Sequence, residues 1–245
     1  MEVHAHSHSH GKKNWKSYFW EFLMLFLAVF CGFLAEYQLE HKIEKDREKV
    51  YMKNMLEDLK SDTATYGNYG RTNTDLFNII DSLIYLMKKP DKKLYINKMY
   101  FLARTVTLTT APLFPNERTY DQMKNSGHLR IISKRVVSDN ISSYYNSLKF
   151  IDFYNDAFRD RISDYLRAVG KVFDAEVLLN ILTGKNEQNS PTAHLLTDDI
   201  HTINEFLTAA QYLYGAQKLS EKLGMARSGA AKDLIMLIKK EYHLE

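Results

Sequence analysis

Apolar and polar positions change rhythm abruptly near the start of this chain. From Phe22 to Ala35 the sequence reads FLMLFLAVFCGFLA, and from Glu36 to Lys49 it reads EYQLEHKIEKDREK, with no turn residue between the two. The pattern predicts one helix that leaves an apolar environment and continues directly as a charged stalk. Tyr18 to Ala35 covers about 27 Å at ~1.5 Å per residue, against a hydrocarbon core of ~30 Å. Trp15, Tyr18 and Trp20 at one end and Tyr37 at the other supply interfacial aromatic rings, as membrane-crossing helices do. The competing readings are a cleaved signal and a buried core helix. Leu34-Ala35-Glu36 is a poor cleavage site, and Phe30 ahead of Cys31 is not the small residue that lipoprotein processing needs. The expectation is a retained span over residues 14–36.

Beyond the span almost everything carries helical period. Leu39, Ile43 and Val50 are sparse among charges, whereas Met52, Met55, Leu56 and Leu59 become regular, so the stalk over residues 37–65 reads as wet first and packed later. YGNYG (Tyr66 to Gly70) predicts a break, followed by a second helix opened by Thr72 and Asp75 as a capping pair. That helix carries Leu76, Ile79, Ile80, Leu83, Ile84 and Met87 at helical spacing and stops at Lys89-Pro90. A third is predicted from about Leu94 to Val106. Pro112 and Pro115 forbid a continuous helix in the stretch that follows. Within it Asn116 is read as the cap of a short helix through Met123, with Gly127 as its C′ residue. A long aromatic-rich helical pattern runs from Lys134 to Thr183 and is expected to kink or divide at Gly170. A polar loop from Gly184 to Pro191 leads into two more helices, about Asp198 to Leu223 and Ser228 to Tyr242. The fold class is all-α: a transmembrane helix, its stalk, and a bundle of about five to seven helices over residues 66–245, without a recognisable repeat.

Composition narrows the partners. The chain is 45% hydrophobic and 26% charged, with a net charge of +3, and only Lys12, Lys13 and Lys16 stand against Glu2 and Glu21 before Glu36. The body is therefore near neutral, without the clustered basic face of a nucleic-acid binder. Its single cysteine, Cys31, lies inside the span, so the body has no disulfide. The three lysines crowd the near edge of the span, whereas Lys42, Lys45, Arg47 and Lys49 lie farther out among acids. The count itself is nearly a tie, three against four, but the crowding and the short basic tail ahead of a first hydrophobic segment favour a cytoplasmic N-terminus and a periplasmic body at the inner membrane.

Three places could carry chemistry. In the tail over residues 1–13, His4, His6, His8 and His10 alternate with small residues. Imidazoles so spaced can wrap a zinc, nickel or copper ion, although weakly, and a plain solvated tail explains them as well. In the span, Glu21, Leu25, Ala28, Gly32 and Ala35 fall on one helical stripe. Small residues four apart let helices approach closely, and an ionisable group in a span turns toward protein or water. A helix–helix interface competes there with Glu21 simply reaching the headgroups. Glu117, Arg118, Tyr120, Asp121 and His128 gather polar groups in the irregular segment, and each is read first as a capping or packing device. No nucleophile elbow, phosphate-binding glycine loop, HExxH or CxxC is present.

The run KKNWKSYFWEFLMLFLAVFCGFLAEYQLEHKIEKDREKVYMKNMLEDLKSDT, the His-rich tail and TYDQMKNSGHLRII (Thr119 to Ile132) together resemble an uncharacterised family. Its members are single-span, His-rich-tailed, all-helical proteins of gram-negative bacteria. The resemblance implies a native tail and a retained span. No chemistry is attached to that family, so it transfers no functional residues.

The function expected is non-enzymatic: a membrane-anchored helical scaffold that assembles with itself or with a larger envelope complex. The alternatives are an extracytoplasmic ligand-sensing module acting through a partner, and an accessory subunit of an ion-driven or metal-handling complex. Sensor domains of that kind usually return to the membrane and continue into a signalling domain, which weighs against the first alternative.

Overall fold

A computed structural model describes residues 14–109, 113–184 and 193–244, leaving aside the side chains of residues 68–73. Seven α-helices occur among the described residues: α1 (Trp15–Met87), α2 (Ile96–Thr109), α3 (Arg118–Asn125), α4 (Arg135–Asn146), α5 (Lys149–Val172), α6 (Ala175–Leu182) and α7 (Ile200–Tyr242). Between Val50 and Tyr51 the chain divides into an N-terminal unit and a compact helical body. The all-α expectation holds.

In the N-terminal unit the helix presents its apolar side chains bare. Phe22, Leu25 and Phe33 are 65%, 70% and 66% exposed. One helix among the described residues is long and apolar enough to cross a membrane, and none of its apolar window is buried. A core helix would hide that surface; this one does not.

The body begins where α1 acquires neighbours. Tyr51, Met52, Met55, Leu56 and Leu59 are buried, as the regular spacing in the distal stalk predicts. The expected break at Tyr66–Gly70 is absent, because α1 continues to Met87. Glycine in a helix costs about 1 kcal/mol relative to alanine, so Gly67 and Gly70 together cost roughly 2 kcal/mol. Against this stand the three–four spacings of core positions on either side of the glycines, Leu59, Asp62 and Tyr66 before them and Leu76, Ile80, Leu83 and Met87 after them. A break would throw the two stretches out of register along α7, the helix that both of them meet.

The same logic joins the two helices predicted near the C-terminus. α7 is one helix, because Ile203, Phe206, Ala210, Leu213, Gln217, Ser220 and Gly224, then Ala231, Leu234 and Ile238, keep one buried heptad seam. Gly224 lies within that seam, where a small residue is an asset. Conversely, the Lys134–Thr183 pattern is cut twice, and not at Gly170, which is interior to α5. The first cut falls at Ser147–Leu148, between α4 and α5. The second follows Phe173, which is extended (φ −116°, ψ 138°). Asp174 then caps α6 by accepting from the Glu176 and Val177 amides at 2.9 and 3.1 Å. A strong N-cap restarts a helix more decisively than an interior glycine divides one. Gly127, by contrast, takes the left-handed φ of 70° expected of the residue after α3.

The body holds two apolar cores. The first joins the C-terminal half of α1 to α2, α5, α6 and the N-terminal half of α7. The second joins the buried start of α1, from Tyr51 to Tyr66, to α3, α4 and the C-terminal half of α7. α1 and α7 therefore run antiparallel.

Candidate functional site

The second core is organised by two carboxylates. Asp58 and Asp62 lie one turn apart on α1, 1% and 2% exposed. Burying such groups costs several kcal/mol unless donors meet them, and donors do. Asp58 Oδ1 accepts from the Arg118 guanidinium at 2.7 Å and from Asn116 Nδ2 at 3.2 Å, while Oδ2 accepts from the Thr119 amide at 2.8 Å. Asp62 Oδ1 accepts from the Asn116 amide at 2.8 Å, and its Oδ2 from the Tyr144 hydroxyl at 3.0 Å. The Thr119 amide belongs to the first turn of α3, whose N-cap Glu117 makes no side-chain cap. A carboxylate from a distant helix thus supplies the cap, where negative charge also suits the helix dipole.

Aromatic rings close over the pair. Tyr120 stacks on Tyr145 at 4.2 Å with their planes 5° apart, and Tyr144 meets Tyr145 edge-on at 5.1 Å. The Tyr145 hydroxyl donates to Met55 Sδ at 3.1 Å. From α7, Arg227 donates to the Tyr144 carbonyl at 3.1 Å and lies 5.5 Å from its ring. Burial raises the Asp62 carboxyl above its ordinary value of 3.8, and nearby Asp58 adds to this; the Asn116 amide, Tyr144 and Arg227 oppose it. Burial, then the Asp62 charge, push the Tyr66, Tyr144 and Tyr145 hydroxyls up. Glu117 is raised by burial and by Asp121.

The polar groups singled out around residue 120 thus have places. Arg118 pairs with Asp58, Tyr120 stacks, and His128 Nδ1 sits 2.8 Å from both the Tyr51 hydroxyl and Ser126 Oγ. Asp121 stays exposed in the first turn of α3. What the sequence reading missed is their anchor, Asp58 and Asp62. The signal was available, since Asp62 falls three residues after Leu59 and four before Tyr66, an acid on an apolar register. Every Asp58 and Asp62 oxygen meets an internal donor, which is the chemistry of a clamp holding the Leu113–Met123 segment on α1.

In the span, Glu21, Leu25, Ala28, Gly32 and Ala35 are all exposed on α1. A Cβ added at Gly32 would meet nothing within 4 Å. Phe22, Phe26 and Phe30 stack in sequence on another row, 6.2 and 5.9 Å apart. The structure thus leaves the small-residue stripe uncovered. His4, His6, His8 and His10 lie outside the described residues, and among the described ones no group of three or more His, Cys, Asp or Glu side chains could hold a metal ion.

An apolar groove of about 320 Å³ runs between α5 and α7 past Phe153 and Tyr212. A cavity of about 360 Å³ opens between the 3-10 turn Lys92–Tyr95, the start of α2 and the segment from Ala193 to Asp198. Comparison of the chain with protein-family models, with curated proteins and with solved structures found no match in any of the three.

Proposed function

We propose that this chain is a single-span protein of the inner membrane, and that its helical body is a non-enzymatic scaffold assembling with itself or with a larger envelope complex. One observation carries the reading: none of the apolar window of α1 is buried, in a chain whose body gathers apolar residues into two cores. Apolar surface on that scale belongs in lipid or against another helix. Lys12, Lys13 and Lys16 before the span orient the N-terminus to the cytoplasm and the body to the periplasm. The stripe of Glu21, Leu25, Ala28, Gly32 and Ala35 is the surface for a second helix, from another copy or from a complex partner.

The test is native complex size in mild detergent for the wild type, Gly32→Leu and Glu21→Gln. Gly32→Leu inserts a side chain into a close helix contact and is expected to shift the assembly to monomer. Glu21→Gln is expected to weaken assembly without abolishing it. A wild type that extracts from membranes with carbonate alone, or two variants that migrate as the wild type does, would overturn the reading. A ligand-sensing role acting through a partner is the second reading, favoured by the cavity beside Lys93.

A further inference from the structure

The cavity of about 360 Å³ has two unlike walls. Ile96, Met99 and Leu195 make an apolar floor, and Lys92, Lys93 and His194 stand on its lining with Asp198. Its volume lies within the ~300–1,000 Å³ typical of small-molecule sites, which pair apolar walls with a few placed polar groups. Lys92 is neutralised by Asp198 at 3.4 Å. Lys93 is exposed and makes no ion pair with a carboxylate among the described residues. One positive charge at the rim is thus left for a ligand.

The Ala193–Asp198 side of the lining is tied to α2 and to the end of α5. The Tyr100 hydroxyl, on a fully buried ring, donates to the His194 carbonyl at 2.6 Å and accepts from the Asp174 amide at 2.7 Å. The Leu196 amide donates to the Val172 carbonyl at 2.9 Å, and Leu195 bridges Phe173. A wall fixed before binding spares the ligand the cost of ordering it. Beside the lining, Leu94 and Ile200 are 78% and 75% exposed, so the surroundings are aliphatic as well as basic.

From this we infer that the cavity between the Lys92–Tyr95 turn and the Ala193–Asp198 segment binds a small anionic amphiphile. Its single phosphate or carboxylate headgroup meets Lys93 and His194, and its short aliphatic chain lies on Ile96, Met99 and Leu195. Free phosphate would leave the floor unused, and a neutral alcohol would leave Lys93 unanswered. The inference is independent of membrane anchorage, because binding is read at the body itself.

The experiment uses the full chain in zwitterionic nanodiscs, labelled with carbon-13 at its methionine methyls. It is titrated with hexyl phosphate, with hexanol and with inorganic phosphate. Hexyl phosphate is expected to shift the Met99 methyl saturably, with the other two at least tenfold weaker. Lys93→Ala, at an exposed position that should leave folding unchanged, is expected to weaken binding about tenfold, which is about 1.4 kcal/mol, and Lys93→Arg to restore it. Three results would each overturn the inference: no saturable shift, equal binding by Lys93→Ala, or hexanol or phosphate binding as tightly as hexyl phosphate. Repeating the titration with anionic phosphatidylglycerol in the disc identifies the source. Competition assigns the headgroup to a bilayer lipid and its absence to a soluble amphiphile, the ligand class standing in both cases.

Discussion

The two cores of the body share α1 and α7, yet they are built on different principles. The first is filled by side chains such as Leu76, Ile80, Tyr165, Val172 and Phe206, and its hydroxyls bond backbone groups rather than charges: the Tyr165 hydroxyl donates to the Ala103 carbonyl at 3.0 Å. The second contains Met52, Met55, Leu59 and Met123, but it is arranged around Asp58 and Asp62. Area drives the first together, and apolar area accepts many packings. Carboxylates accept only donors in the right places, so the second core also dictates which segment docks and in what register. It needs to, because the segment it holds includes Pro115 and cannot present one continuous helical face.

Removing the clamp should give the largest effect. Asp58→Ala leaves the Thr119 amide and the Asn116 side chain without their acceptor, while Arg118, two-thirds exposed, regains water. A loss of about 2–6 kcal/mol follows from two stranded donors at about 1–3 kcal/mol each, read as a lower urea midpoint. The Asp58→Ala, Arg118→Ala double variant should lose little more than Asp58→Ala alone. A loss within 0.5 kcal/mol, roughly that of an ordinary surface change, would mean the second core does not depend on its carboxylates.

A matched pair of hydroxyl deletions sharpens the contrast. Tyr165→Phe removes a neutral hydrogen bond from the first core and should cost about 0.5–1.5 kcal/mol. Tyr144→Phe takes a donor from a buried carboxylate in the second and should cost about 1.5–3 kcal/mol, since bonds to charged groups are stronger. Equal costs in thermal melts would erase the distinction drawn between the cores.

The smallest effect is in pH dependence. The folded chain holds the Asp62 proton more tightly than the unfolded chain does, because the folded value is raised from 3.8. Stability from this group is therefore complete below the unfolded value and is lost as the pH rises through the raised folded value. Asp62→Asn should remove that part of the decline, so the difference between wild type and variant should slope across the window above pH 3.8. Glu117, also raised, keeps a residual decline in both. Parallel profiles would show that Asp62 titrates alike in both states.

Much of the body was legible in advance because helical period survives in a single sequence. Leu76 to Met87, Ile203 to Leu213 and the C′ role of Gly127 all follow from local rules. The misjudged places are those where local rules and packing disagree. Gly67, Gly70 and Gly224 argue for breaks that α1 and α7 do not make, because a glycine costs about 1 kcal/mol while an interrupted seam would uncover several core side chains at about 1.5–3 kcal/mol each. Ser147-Leu148 carries a weaker breaking signal, yet the chain turns there, as it does at the Asp174 cap, so that α4, α5 and α6 can each reach a core.

By itself, the sequence determined the helical class, the bare apolar segment and its charged continuation, since these depend on residue type and short-range period. It also placed the polar groups of the Glu117–His128 segment near one another along the chain. Only the tertiary structure decided that Asp58 and Asp62 are buried partners of that segment, that one helix runs where two were expected, and that Lys93 and His194 face a common cavity. These facts rest on pairings between residues about fifty to a hundred positions apart. No local pattern encodes such pairings, because each partner's environment exists only once the chain has folded.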